Sequence, residues 1–212
     1  MAQNKILNYI NSLNRTDPEY QKFYEEIIRF QDEHYIPAVS LEVALFLKWI
    51  SGLVKPKNIL EIGFGSGASA CFINSDLAGT SNFISLERDN NRFTRGMKLL
   101  ERLQVKNIRL LKIDAFKFFE TNQLNFDFIF LDSVKSEYHL YIEPVKKILK
   151  SNGLLVCDNI LMKNKVIEEK IDKKYEKAVK NIDLFNKSLI NDEEFNTIFL
   201  PIGDGISVSI KK

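Results

Sequence analysis

Cysteine and histidine are scarce in this chain, with two of each among 212 residues. Cys71 and Cys157 both sit in apolar runs, so they read as reduced core residues and exclude a disulfide framework or a zinc site. His34 and His139 have no partner at a metal-ligand spacing, which points to surface or packing roles. Glycine and proline number only nine and five, and a composition 45% hydrophobic and 27% charged is that of an ordered globular chain. Long apolar runs are missing too. The opening "MAQNKILNYINSLN" lacks a signal peptide's apolar core, and "VALFLKWISGLV" is interrupted by Lys48 and too short to span a bilayer. A cytoplasmic protein with no membrane partner is the expectation. A net charge of +2 gives no global signal for nucleic acid. There is no repeat, low-complexity tract or linker, and 212 residues suit one domain, residues 1–212.

What is present is an alternation of two periodicities. Residues 1–54 look helical: Asp17 and Pro18 read as N-cap and first helical residue of one helix, and Ser40 as the N-cap of "LEVALFLKWI" after a short "IPAV" break. From residue 55 onward, apolar runs of strand length ("KNILEIG", "NFISLE", "NIRLLKI", "FDFIFLD", "GLLVCD") alternate with longer amphipathic segments, each run expected to be followed by a helix. That is an α/β core with a parallel sheet covered on both faces, capped by the N-terminal helices. The ending "FNTIFLPIGDGISVSI" reads as a hairpin through a tight "GDG" turn, giving seven strands, mostly parallel.

Ligands of open α/β sheets bind beyond the carboxyl ends of the strands, and all five parallel strands carry an acid there. Glu61 leads into Gly63, Gly65 and Gly67, and the other four are Glu87, Asp114, Asp132 and Asp158. Asp114 alone could be the cap of "AFKFFE", but five acids along one edge suggest a site. The "EIGFGSGAS" spacing is G-x-G-x-G with an acid ahead of it, which departs from the dinucleotide fingerprint and suits a cofactor carrying an ammonium group. Glu87 is placed to accept ribose hydroxyls, a feature that dehydrogenases and methyltransferases share. Asp132, Asp158 and Asn159, at the ends of neighbouring strands, offer three hard oxygen ligands suited to Mg²⁺, against the alternative that they cap helices and make a turn.

The run "EIGFGSGAS", then "LERD", then Asp132, Lys135 and Tyr138 as D-x-x-K-x-x-Y, then "DN", resembles the cation-dependent O-methyltransferases of the catechol and caffeoyl-CoA type. Within that superfamily, "EHYIPAVSLE" and "NDEEFNTIFLPIGDGISVSIK" are most similar to the bacterial tRNA 5-hydroxyuridine methyltransferases. The resemblance implies a class I methyltransferase, Rossmann-like fold and S-adenosylmethionine as cofactor. Its pocket would be lined by Glu61, Gly63, Gly65, Ser69 and Asp132, with Glu87 on the ribose and Asp114 and Ala115 beside the adenine. It further implies Mg²⁺ on Asp132, Asp158 and Asn159, Lys135 as general base, and a homodimer.

The chemistry is consistent with that picture. Two adjacent oxygens, in a catechol or in the 5-hydroxyl and 4-carbonyl of hydroxyuridine, can chelate Mg²⁺, and a cation favours the oxyanion so that a nearby amine can take its proton. The expected substrate is the anticodon region of tRNA, with wobble 5-hydroxyuridine becoming 5-methoxyuridine. A small catechol or phenylpropanoid is the alternative, and a binding module without turnover and a dehydrogenase are further rivals. Five of the seven arginines fall between residues 88 and 109. On a helix predicted over 90–104, Arg92, Arg95 and Arg102 make a basic stripe opposite Phe93, Met97 and Leu100, which is either an RNA contact or a solvated face. Tyr138 and Tyr141 either wall the substrate or pack in the core.

Overall fold

Apolar runs buried from both sides build the centre of the molecule, and the helices follow from what each face must cover. The structure is a computed structural model describing residues 2–14, 18–34, 38–77 and 79–212. Helices α1 (Ala2–Leu13), α2 (Pro18–His34) and α3 (Leu41–Val54) precede strand β1 (Asn58–Ile62). Then come α4 (Ala68–Ser75), β2 (Asn82–Glu87), α5 (Asn90–Arg102), β3 (Ile108–Lys112), α6 (Ala115–Thr121) and β4 (Phe126–Leu131). A 3₁₀ helix (Lys135–Leu140), α7 (Ile142–Ile148), β5 (Leu149–Asp158), a short 3₁₀ turn (Lys165–Ile167), α8 (Lys173–Asn191), β6 (Phe195–Leu200) and β7 (Ile206–Lys211) complete the chain.

The seven strands form one sheet in the order β3-β2-β1-β4-β5-β7-β6, parallel except for β7, which runs antiparallel to β5 and β6. Side chains alternate across it, so two cores form. One packs Ile59, Phe83, Phe128, Phe130 and Val156 against α2 to α5, and the other packs Leu60, Ile84, Ile129, Leu131 and Leu155 against α6 to α8. Cys71 lies in the first and Cys157 in the second, both buried and free. The expected mostly parallel seven-stranded sheet with its terminal hairpin is what forms. No helix among the described residues is long and apolar enough to cross a membrane.

Several local expectations need correction. Asp17 and the Ile36–Pro37 part of the predicted break lie outside the described residues. Ser40 occupies the N-cap of α3, but its hydroxyl makes no capping bond and is buried with no hydrogen-bond partner among the described residues. Helix α5 ends two residues short of 104, because Gln104 turns into the left-handed region at φ 54°. Its apolar face is rotated from the predicted one: Gly96, Leu99 and Leu100 are buried, while Met97 stays 47% exposed. Gly96 explains the shift, since a Cβ there would stand 2.5 Å from the Phe64 ring, and only glycine lets the helix settle on that ring. Strand β5 starts at Leu149, four residues before the predicted run, with a register shift opposite Phe126 and Phe128. No long helix follows β5 directly. A left-handed loop intervenes before α8.

Candidate active site

The strand order reverses between β1 and β4, so the connections leaving those two strands diverge and open a crevice at their carboxyl ends. Asp132 closes β4 onto β1 by donating its backbone N–H to the Ile62 carbonyl (3.0 Å). Its own carbonyl oxygen lies 2.0 Å from where a Cβ on Gly63 would be, and Gly63 has φ +101°, so glycine is required here on both counts. A cavity of about 820 Å³ opens above this crossing. Gly63, Gly65, Ser69, Glu87, Asp114, Ala115, Asp132, Lys135, Asp158 and Asn159 all contribute to its wall, as does Arg92.

Glu61 is the exception among the predicted cofactor residues. It is fully buried beneath the wall, accepting hydrogen bonds from the Ser69 hydroxyl (2.5 Å) and from Ser85. Burial pushes its carboxyl up to about 8, against the pull of the two serine donors. Ser69 thus stands between Glu61 and the cavity. The strand period is the reason, because Glu61 points to the α2–α5 side while its neighbours Leu60 and Ile62 point to the other. Glu87 does reach the cavity, with its carboxylate accepting the backbone N–H groups of Gly65 (3.2 Å) and Asp89 (2.9 Å). Asp114 caps α6 through the Phe116 N–H (2.9 Å) and also pairs with Arg88 (3.3 Å), which bridges to Glu137 (3.1 Å). The capping role and the place in the cavity wall therefore coexist.

On the other side of the crossing, Lys135 places its ammonium 2.5 Å from Asp132 Oδ1 and 2.9 Å from the Tyr138 hydroxyl. Tyr138 is fully buried, packed edge-on against Phe185 with ring centroids 5.3 Å apart, and its hydroxyl donates to the Asp158 carbonyl (2.9 Å). It is a core residue whose oxygen steadies Lys135. Tyr141 stacks on Phe116 (4.9 Å, 15°) and belongs to the cavity wall. Asp158 is 2% exposed; burial, and then the charge of Asp132, push its carboxyl up to about 7. Asn159 follows in the left-handed conformation at φ 57°. Among the described residues no trio of His, Cys, Asp and Glu gathers as a metal site; this side of the wall carries the carboxylates of Asp132 and Asp158 and the carboxamide of Asn159.

The arginine stripe is not one free surface. Arg92 is exposed at the cavity wall, Arg95 is half-buried, and Arg102 is held by Glu26 of α2 at 2.6 Å. Helix α2, which supplies this contact, lies far away in the chain and gives no local signal. The wall also takes in Asp204 of the "GDG" turn, which the sequence did not single out, and Lys163 and Lys165, the start of a lysine-rich segment (163–187) that reads in the sequence as a weaker basic candidate than the arginines. An acid between two turn glycines is the one sequence cue for Asp204. Its carboxyl is raised by burial, and it accepts the Lys163 N–H at 2.6 Å.

Comparison with known proteins bears on this arrangement. Residues 15–212 match the O-methyltransferase family. Caffeoyl-CoA O-methyltransferase 1 of Arabidopsis thaliana is 26% identical over 220 aligned residues, taking in 98% of this chain and 85% of that protein. Among solved structures, the S-adenosylhomocysteine-bound methyltransferase PaMTH1 of Podospora anserina is similar at a TM-score of 0.86 and 22% identity, covering 100% of this chain and 95% of that one. The O-methyltransferase of Bacillus cereus in complex with S-adenosylhomocysteine gives 0.83 and 21%, covering 97% and 96%.

Proposed function

Since the chain belongs to the O-methyltransferase family, we propose that it transfers the methyl group of S-adenosylmethionine to an oxygen of a substrate carrying two adjacent oxygens, with Mg²⁺ held by Asp132, Asp158 and Asn159. The observation that carries this reading is the convergence of those three residues and Lys135 in the wall of one cavity that also contains the glycine loop and Glu87. The donor set fits a small hard cation. Two carboxylates repel one another, Asp158 is nearly enclosed, and oxygen is the only donor element offered. The cradle fits the cofactor as well: Gly63 presents bare backbone at the crossing, and Glu87 stands ready at the next strand end.

When bound, the cation would supply charge that favours an oxyanion, and the cofactor would supply the electrophilic methyl. The chain's own part is to place and to move a proton. Lys135, steadied by the Tyr138 hydroxyl, is the general base that takes the proton from the acceptor hydroxyl. With the cofactor bound, the new C–O bond would replace its S–C bond and leave the sulfur neutral. Positioning by the rigid strand ends accounts for most of the acceleration.

Of substrates with that pair of oxygens, we propose wobble 5-hydroxyuridine of tRNA, giving 5-methoxyuridine. The support is the resemblance in "EHYIPAVSLE" and "NDEEFNTIFLPIGDGISVSIK", and the exposed Arg92 at the cavity wall. A small catechol or phenylpropanoid is the second reading, favoured by the caffeoyl-CoA name of the plant relative. The homodimer implied by the resemblance belongs to the same proposal. Nucleoside analysis of tRNA from cells with and without the gene separates the two substrates: loss of 5-methoxyuridine with build-up of 5-hydroxyuridine is expected, and an unchanged profile would assign the enzyme to small molecules.

A further inference from the structure

The loop after β5 is unusual backbone. Met162, Lys163 and Asn164 take consecutive left-handed conformations (φ 50°, 56° and 62°), none of them a glycine. Residues with a Cβ are disfavoured there, so a run of three persists only where the surroundings impose it. They do so through the hairpin: the Ile160 N–H donates to the Gly205 carbonyl (3.1 Å), the Leu161 N–H to the Asp204 carbonyl (3.0 Å), and the Lys163 N–H to the Asp204 carboxylate (2.6 Å). Gly205 permits the contact, because a Cβ there would lie 2.6 Å from the Leu161 side chain.

The side chains retained at that conformational cost line the same cavity as Asp158 and Asn159. Lys163 is exposed, and the acid whose charge it feels is Asp204. The Lys165 ammonium lies 5.0 Å over the centre of the Tyr175 ring, which also lines the cavity and holds it by a cation–π contact. The nearby counter-charges are Glu168, 3.6 Å from Lys165, and the Asp204 carboxylate, which is already engaged by backbone N–H. Two lysine ammonium groups are therefore presented beside the proposed acceptor site.

We infer that Lys163 and Lys165, with Tyr175 as support, form a subsite for an anionic group, phosphate or carboxylate, attached to the substrate whose oxygen is methylated. This rests on the reading of the cavity as a methyl-transfer site. It makes the acceptor a charged molecule, with neutral catechols poor substrates, and Asp204 a positioning residue for the loop.

The test compares neutral and anionic partners of the same ring: 5-hydroxyuridine against its 5′-monophosphate, and catechol against 3,4-dihydroxybenzoate. Methyl transfer is measured with S-adenosylmethionine and Mg²⁺, and binding by calorimetry with S-adenosylhomocysteine present. The wild type is expected to favour the anionic partner by roughly tenfold or more, as a charge-assisted contact provides. The Lys163→Gln/Lys165→Gln variant should lose that preference and the Lys163→Arg/Lys165→Arg variant keep it. Whether phosphate or carboxylate gives the larger preference identifies the source of the charge. Equal affinities in the wild type, or a preference untouched in the glutamine variant, would overturn the subsite. If neither these probes nor tRNA carrying 5-hydroxyuridine is methylated, the methyl-transfer reading fails separately, while the calorimetric comparison still decides the subsite.

Discussion

Replacing Gly63 by alanine tests whether the β1–β4 crossing is as tight as its geometry demands. The added Cβ would sit 2.0 Å from the Asp132 carbonyl oxygen and 2.9 Å from its carbon, both backbone atoms at a strand end that cannot rotate away. At φ +101° the alanine also meets left-handed strain, about 1–2 kcal/mol. Overpacking against a fixed neighbour adds about 1–3 kcal/mol. Gly79 is the internal control: it too has positive φ (+72°), but none of the described residues beyond its chain neighbours comes within 4 Å of its added Cβ, so only the strain remains. The difference between the variants is then the clash alone, about 1–3 kcal/mol, or about 2–12 °C in Tm for a chain of this length. Paired urea and thermal unfolding read it directly. Gly63→Ala should also weaken cofactor binding, because relief of the clash moves Asp132, and Gly79→Ala should not. Equal destabilisation of the two variants would mean that the crossing yields, and the argument from close approach would fall.

Three further outcomes follow from the site. Glu61 keeps its proton in the folded protein from its ordinary 4.5 up to about 8, a range in which the unfolded chain has lost it. The folded state therefore holds the extra proton, and stability falls as pH rises across that window, by an amount on the order of several kcal/mol. Glu61→Gln should flatten that slope in unfolding experiments; an unaltered slope refutes the assignment. Asp158→Ala should abolish methyl transfer while leaving S-adenosylmethionine binding nearly intact by calorimetry, and turnover surviving in the variant with a chelator present would remove the metal role. Lys135→Ala should lower kcat far more than it weakens cofactor binding, as expected of a group acting on the transition state. An unchanged kcat across neutral pH would dismiss it as the base.

The strands were legible because a run buried on both faces must be apolar throughout: "NFISLE" reads as residues 82–87 and forms β2 at Asn82–Glu87. The acids at the strand ends were legible for the converse reason, since each is an expensive residue where a buried run stops. What the sequence by itself determined was thus the alternation of elements and the acidic strand ends that line the cavity. It did not determine which way Glu61 points, how α5 turns about Gly96, or that Arg102 is taken up by Glu26, because each depends on a partner distant in the chain. The loop after β5 is the plainest case. Lys163 looks like one of many lysines until β7 inserts beside β5 and brings Asp204, 41 residues away, to its backbone. Local pattern sets which residues want burial, and only the closed sheet order decides which carboxylate meets which amide.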